Sequence, residues 1–179
     1  VRLFVQSIVV EKNYSISTHR QLVSAIKHFA KFCPACKIES EELKRPSKDY
    51  KLPTVLSKEE VLDLLRCTKN LKHRTILALL YSSGLRVSEV IHLTLDCFDF
   101  DRRQIFIRHA KGRKDRVVVL AESFLPLFKN YYMTYQPKIY FVENPKGGPY
   151  STESIRGFLK RSCKVGQIKN RWTLHTLRH

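Results

Sequence analysis

The sequence predicts an α+β fold, mainly helical, with one small antiparallel sheet. Apolar residues recur at helical spacing through most of the chain, whereas from Cys97 to Leu120 they form short extended runs separated by turns. The 179 residues, 43% of them hydrophobic, suffice for one full domain and a small flanking piece. No apolar run approaches the roughly 18–20 residues that cross a bilayer.

Residues 1–33 predict two helices joined by a short polar segment at 13–17. Ser17 or Thr18 is expected to cap the second helix. The apolar face of that helix is expected to consist of Leu22, Ile26, Phe29 and Cys33. Two helices bury little apolar surface by themselves, so this segment is expected to be the end of a larger domain.

Residues 34–56 contain three prolines and many charges without a sustained period, which is typical of a linker. We therefore expect three parts. A helical segment at 1–46 is followed by a linker at 47–56 and a main domain at 57–179.

Local signals mark the helices of the main domain. Ser57 and Glu60 are expected to form a capping box at its first helix, in which the side chain of each residue accepts the backbone N–H of the other. Ser151 or Thr152 is suited to cap a later helix. Between these two helices, residues 122–135 also have a helical pattern.

The stretch from Thr75 to Tyr81 is almost wholly apolar, so this helix is expected to be buried on all sides. Gly84 is suited to end it in a left-handed conformation. Arg86 then begins a short helix on which it shares a face with Glu89, three residues further on.

Three extended runs predict the sheet, at residues 97–100, 105–107 and 117–120. The turns between them are expected at residues 101–103 and 111–115. The second turn is rich in lysine and arginine, so one hairpin tip is expected to be strongly basic.

The charge balance is strongly positive, with 33 Lys and Arg against 16 Asp and Glu, a formal net charge of +17. Such an excess makes the compact state repel itself unless a polyanion offsets it. A nucleic acid is therefore the expected partner. A soluble basic protein without that role is the alternative.

The five cysteines are odd in number and mostly lie in apolar patterns, which favours reduced thiols and a cytoplasmic location. Cys33 and Cys36, with His28 upstream, resemble half of a zinc knuckle. Structural zinc needs four ligands, so neither a metal nor another cofactor is expected.

Arg86 and Arg178 are candidates for binding one phosphate, because guanidinium groups bind phosphate bidentately. His175 lies three residues before Arg178, so on a helix both would address the same group, and histidine can move a proton near neutral pH. The alternative for Arg86 is a structural salt bridge to Glu89.

Lys111 lies at the basic hairpin tip. Its neighbours are expected to contact a DNA backbone, namely Arg108, Arg113, Lys114 and Arg116. Whether Lys111 has a catalytic role or is one more backbone contact is open from these residues alone.

These motifs, in this order and spacing, resemble the tyrosine recombinase (phage integrase) family. The motifs are residues 84–89, the hairpin at 111–116 and the terminal segment at 175–179. The resemblance is closest to the Xer-like and integron-integrase branch and covers Pro53 to the end. Residues 1–46 resemble the last helices of the family's core-binding domain, which clamps DNA from the other side.

The resemblance implies a role for each matching residue. Arg86 corresponds to the first catalytic arginine, and Glu89 to the acidic residue that supports it. Lys111 corresponds to the lysine that protonates the leaving 5′-oxygen. His175 and Arg178 correspond to the His-x-x-Arg box.

The implied activity is site-specific DNA recombination or integration through a 3′-phosphotyrosyl intermediate. The implied partners are double-stranded DNA with inverted-repeat half-sites and further copies of the protein, as a homo-tetramer on DNA. The family needs no metal for this reaction.

The chain departs from the family pattern at the nucleophile. The family's tyrosine lies a few tens of residues beyond the His-x-x-Arg box, whereas all eight tyrosines here precede it. We therefore assign no nucleophile, expect a chain truncated at both ends, and expect it to bind DNA without cleaving it. The alternatives are a non-catalytic DNA-binding remnant of a mobile element and a basic RNA-associated protein.

Overall fold

A computed structural model describes residues 2–33, 43–47, 55–110, 114–168, 173–174 and 176–178. The chain divides into two compact units, Val1–Leu52 and Pro53–His179. The assignment of the first unit to a core-binding domain stays a prediction.

The first unit contains helices α1 (Arg2–Glu11) and α2 (Ile16–Phe32), which pack against each other. Its small core consists of Val5, Val23 and Leu43, with Val9, Leu22 and Ile26 around it.

Two expectations for α2 were wrong. Its cap is Ser15, whose hydroxyl accepts the Thr18 N–H at 3.2 Å, and not Ser17 or Thr18, because the helix begins earlier than its apolar pattern. Phe29 is 62% exposed, since the buried face turns towards Val23 instead.

The second unit is built mainly from helices. They are α3 (Lys58–Cys67), α4 (Leu71–Ser83), α5 (Val87–Ile91), α6 (Leu125–Tyr135) and α7 (Thr152–Val165). The predicted caps are present: Ser57 and Glu60 form the capping box of α3, and the Ser151 hydroxyl accepts the Ser154 N–H at 3.1 Å at the start of α7. The mainly helical α+β prediction is confirmed.

The sheet has three antiparallel strands in the order β1 (Phe98–Asp99), β2 (Gln104–Ala110) and β3 (Lys114–Val119). The prediction of a turn at residues 111–115 was too long. Lys114 and Asp115 belong to β3, because strand pairing continues to the pair Ala110 and Lys114 after an irregularity.

The core of this unit lies between the sheet and the helices. Phe98, Phe124, Phe128 and Phe141 pack ring against ring, with centroid separations of 5.3–6.4 Å. Such contacts hold β1 against α6.

Helix α4 runs through this core. Its apolar sequence predicted burial on all sides, and this prediction was wrong. Tyr81 is 43% exposed and Ala78 half-buried. These two residues are three apart and therefore lie on the same face of α4, which is partly open to solvent.

Within the described residues, no helix is both long enough and apolar enough to cross a membrane.

Candidate active site

The junction between α4 and α5 places Arg86. Gly84 ends α4 with φ 60° and ψ 25°, the left-handed conformation that costs glycine least. Leu85 is buried in the core, which fixes the turn. Arg86 is then the residue before α5, with an extended backbone at φ −76° and ψ 150°.

Glu89 accepts two hydrogen bonds from Arg86. Its carboxylate accepts the Arg86 backbone N–H at 2.7 Å, which satisfies a donor at the start of α5. It also accepts a hydrogen bond from Arg86 Nη1 at 2.9 Å. The predicted pairing of these residues is therefore present, and both the backbone and the side chain of Arg86 are fixed by one carboxylate.

A second arginine binds the same carboxylate from the sheet. Arg116 of β3 donates from Nη1 and Nη2 to the two oxygens of Glu89, at 2.7 and 2.8 Å. This is a bidentate arginine–carboxylate pair, the stronger kind of charged hydrogen bond. Arg116 was expected only as a DNA contact, and its pairing with Glu89 depends on strand register that the sequence does not reveal.

These hydrogen bonds set the protonation of Glu89. Burial disfavours the ionised form, since the side chain is only 8% exposed, but hydrogen bonds from Arg116 and Arg86 outweigh this. The pKa of Glu89 is lowered to about 2, so the carboxylate stays ionised at any physiological pH.

A groove of about 620 Å³ opens beside Arg86. Its lining includes Glu89, His92 and Arg108. Arg108 forms an exposed ion pair with Asp96 at 3.2 Å, and His92 Nδ1 donates to the Ser88 carbonyl at 2.8 Å. His92 had no distinguishing signal in the sequence, because a lone histidine on a helix is common.

Arg86 also lines a second groove, of about 540 Å³. Arg156 of α7 and Thr173 line it together with Arg86. Arg86 therefore lines two grooves of this unit.

The last described turn carries the backbone of Arg178. Residues Thr176–Arg178 form a 3₁₀ turn. Thr173 and Thr176 bond to each other at its start, through reciprocal N–H to hydroxyl hydrogen bonds of 3.1 and 3.3 Å. Leu177 is buried in the core, and the turn packs against α4.

Lys111, Arg113 and His175 lie outside the described residues. Of the predicted site residues, the structure brings the side chains of Arg86, Glu89 and Arg116 together.

Within the described residues Cys33, Cys67, Cys97 and Cys163 are free thiols. No group of three or more potential metal ligands occurs among the described residues. Cys36 lies outside them.

Comparison with known proteins identifies the class of this domain. Residues 54–179 match the model of the phage integrase family. The chain belongs to this family, the tyrosine recombinases.

Curated relatives include members of the expected branch. The chain is 31% identical over 188 residues to the tyrosine recombinase XerD of Staphylococcus aureus (strain N315), covering 96% of this chain and 63% of the relative. It is 32% identical over 143 residues to the putative integrase/recombinase y4qK of Sinorhizobium fredii (strain NBRC 101917 / NGR234), covering 79% of this chain and 46% of the relative. The chain spans about half the length of such relatives, and the predicted Xer-like resemblance is confirmed.

Solved structures share the fold. The XerH recombinase bound to palindromic difH substrate matches with a TM-score of 0.79 at 20% identity, covering 99% of this chain and 57% of that one. A lambda integrase tetramer bound to a Holliday junction matches with a TM-score of 0.77 at 13% identity, covering 97% and 55%. At these identities the likeness concerns the fold alone.

Proposed function

We propose that the protein acts in site-specific DNA recombination, breaking and rejoining DNA through a 3′-phosphotyrosyl intermediate. The observation that carries the proposal is Arg86. Its guanidinium is held by Glu89 while 31% of the side chain stays open to solvent beside a groove of about 620 Å³. A fixed guanidinium at a concave surface of a tyrosine recombinase domain, in a chain with a net charge of +17, is suited to hold a DNA phosphate.

In the proposed reaction a tyrosine oxygen attacks the phosphorus, a 3′-phosphotyrosyl bond forms, and the bond to the 5′-oxygen breaks. Arg86 and Arg178 stabilise the negative charge that builds on the phosphate oxygens, which is worth about 3–4 kcal/mol for a well-placed donor. Lys111 gives a proton to the leaving 5′-oxygen, and His175 moves a proton near neutral pH. The reverse attack by a 5′-hydroxyl rejoins the strand.

The proposed partner is double-stranded DNA with inverted-repeat half-sites. Arg108, Arg113 and Lys114 would contact its backbone, and each contact would steepen the salt dependence of binding. XerH bound to difH and the lambda integrase tetramer on a Holliday junction support this partner and a homo-tetrameric assembly on DNA.

The attacking tyrosine is not assigned among these residues. All eight tyrosines precede His175. Tyr131 is buried, and its hydroxyl donates to the Phe141 carbonyl at 2.8 Å, so it is not available to a phosphate. We propose that residues 1–179 bind DNA but do not cleave it unaided.

In the first step of the test, residues 1–179 are used to select the DNA duplexes that they bind from a pool of randomised sequence. We expect a half-site to be enriched as an inverted repeat. A nicked suicide duplex carrying that site is then incubated with residues 1–179, and with the same residues fused to a relative's tyrosine-bearing C-terminal segment. Only the fusion should give a covalent protein–DNA band.

Arg86→Ala in the fusion should abolish the covalent band while DNA binding is retained. A matched control is Arg66→Ala, which removes an exposed arginine at the same i,i+3 spacing from its carboxylate partner Asp63. A band that survives Arg86→Ala contradicts the catalytic role, and a band from residues 1–179 alone contradicts the absence of a nucleophile. Binding without any band, even in the fusion, favours a non-catalytic DNA-binding remnant.

A further inference from the structure

We propose that Arg116 is a positioning residue for Arg86. In this inference, which rests on the proposed function, Arg116 binds Glu89 so that this carboxylate can orient Arg86 without cancelling its charge. Arg86 then keeps a net attraction for a DNA phosphate.

The Glu89 carboxylate accepts more side-chain hydrogen bonds from Arg116 than from Arg86. Arg116 uses both terminal nitrogens, at 2.7 and 2.8 Å, whereas Arg86 uses only Nη1, at 2.9 Å. Within the described residues this is the one side-chain hydrogen bond that Arg86 donates. A guanidinium carries five N–H donors, so the rest of the Arg86 fork can bind a ligand.

The charges give this arrangement its effect. Two permanent cations share one buried carboxylate, so the cluster keeps a net charge of about +1. Without Arg116, Glu89 and Arg86 would form a neutral pair, and Glu89 is too buried to be screened by water. Arg86 would then be a weaker ligand for an anion.

The position of Arg116 on the sheet suits this role. It pairs across the strands with Ile107, which is buried, so the backbone that carries Arg116 is anchored. Arg108, by contrast, has a side chain that is 63% exposed. Arg108 is therefore the better candidate for a direct backbone contact, although both were predicted as DNA contacts.

The two roles for Arg116 can be separated by binding measurements. Residues 1–179 and their variants are titrated with a 30-base-pair duplex at several salt concentrations. Arg116→Gln should weaken binding about tenfold in the wild-type background. It should cause a clearly smaller loss in an Arg86→Ala background, because its main effect acts through Arg86.

Glu89→Gln should rescue Arg116→Gln to within about threefold of wild type, because the charge that would neutralise Arg86 is gone. Arg116→Lys, which keeps the charge but not the fork, should be intermediate. Arg108→Gln is the matched control and should weaken binding equally in all backgrounds. Thermal unfolding of each variant verifies that the chains are folded.

Equal losses from Arg116→Gln in the wild-type, Arg86→Ala and Glu89→Gln backgrounds would show a direct phosphate contact and overturn the inference. No loss in the wild-type background would overturn it as well. If the wild-type chain binds no duplex DNA, the proposed function itself fails. If the wild-type chain binds DNA and the effect of Arg116→Gln is the same in every background, only the positioning role of Arg116 is contradicted.

Discussion

Glu89 accepts four hydrogen bonds from two arginines. In the proposed role of Arg86, the charge of Glu89 sets how strongly Arg86 attracts a DNA phosphate. The spacing of Arg86 and Glu89 was readable from the sequence, because residues three apart meet on a helix. The contribution of Arg116 was not, because residues 27 positions apart meet only through the register of β3. Local chemistry was predictable at this site, and the long-range partner was not.

Replacing Glu89 by Gln should lower the free energy of unfolding by about 2 kcal/mol at pH 7, because charged hydrogen bonds to a buried group are lost. The pKa of Glu89 is depressed from its usual 4.5 to about 2 in the folded protein. Its contribution is therefore complete above about pH 4.5 and is lost as the pH falls towards 2. Urea unfolding at pH 7, 4 and 2.5 measures this difference.

The Gln variant should consequently lose less stability than the wild type between pH 4.5 and 2.5. Glu122→Gln is the control, since Glu122 forms an exposed pair with Arg103 and should contribute less than about 1 kcal/mol. Identical pH profiles for wild type and Glu89→Gln would contradict the electrostatic role of Glu89.

At the scale of elements, the features with a local cause were the ones predicted correctly. The capping box of α3 and the start of α7 follow from side chains within three residues of each other, and the left-handed end of α4 follows from the missing Cβ of Gly84. The predicted cap of α2 was wrong because the helix begins earlier than its apolar pattern, and the predicted burial of Phe29 was wrong because the buried face turns towards Val23. The 3₁₀ turn Thr176–Arg178 places Leu177 in the core, which is likewise a matter of packing.

Gly84→Ala tests the element that presents Arg86. Alanine in the left-handed conformation costs about 1 kcal/mol, so the variant should be destabilised by that amount. Gly157→Ala is the matched control within α7, where the added Cβ meets, among the described residues, only Arg161 Nη1 at 3.6 Å. It should stabilise the protein by up to about 1 kcal/mol.

Thermal unfolding of both glycine variants provides the measurement. Equal effects of the two substitutions would contradict the conformational requirement at Gly84.

At the scale of the whole molecule, composition and motif order were enough to predict the fold class and the family. The net charge of +17 favoured a polyanion partner, and residues 54–179 match the phage integrase family. The division into two units falls at Leu52 and Pro53, within the proline-containing segment 34–56. What the sequence could not provide is the network that joins α5 to β3 around one carboxylate.

The central claim is that Arg86 holds a DNA phosphate, and the salt dependence of DNA binding tests it most directly. Residues 1–179 are titrated with a duplex over a range of salt concentrations, with structured RNA as competitor, alongside Arg86→Ala and the control Arg66→Ala. We predict preference for the duplex. We also predict about tenfold weaker binding and a log–log salt slope shallower by about one for Arg86→Ala, with Arg66→Ala unchanged. An Arg86→Ala variant with wild-type affinity and slope would contradict the claim.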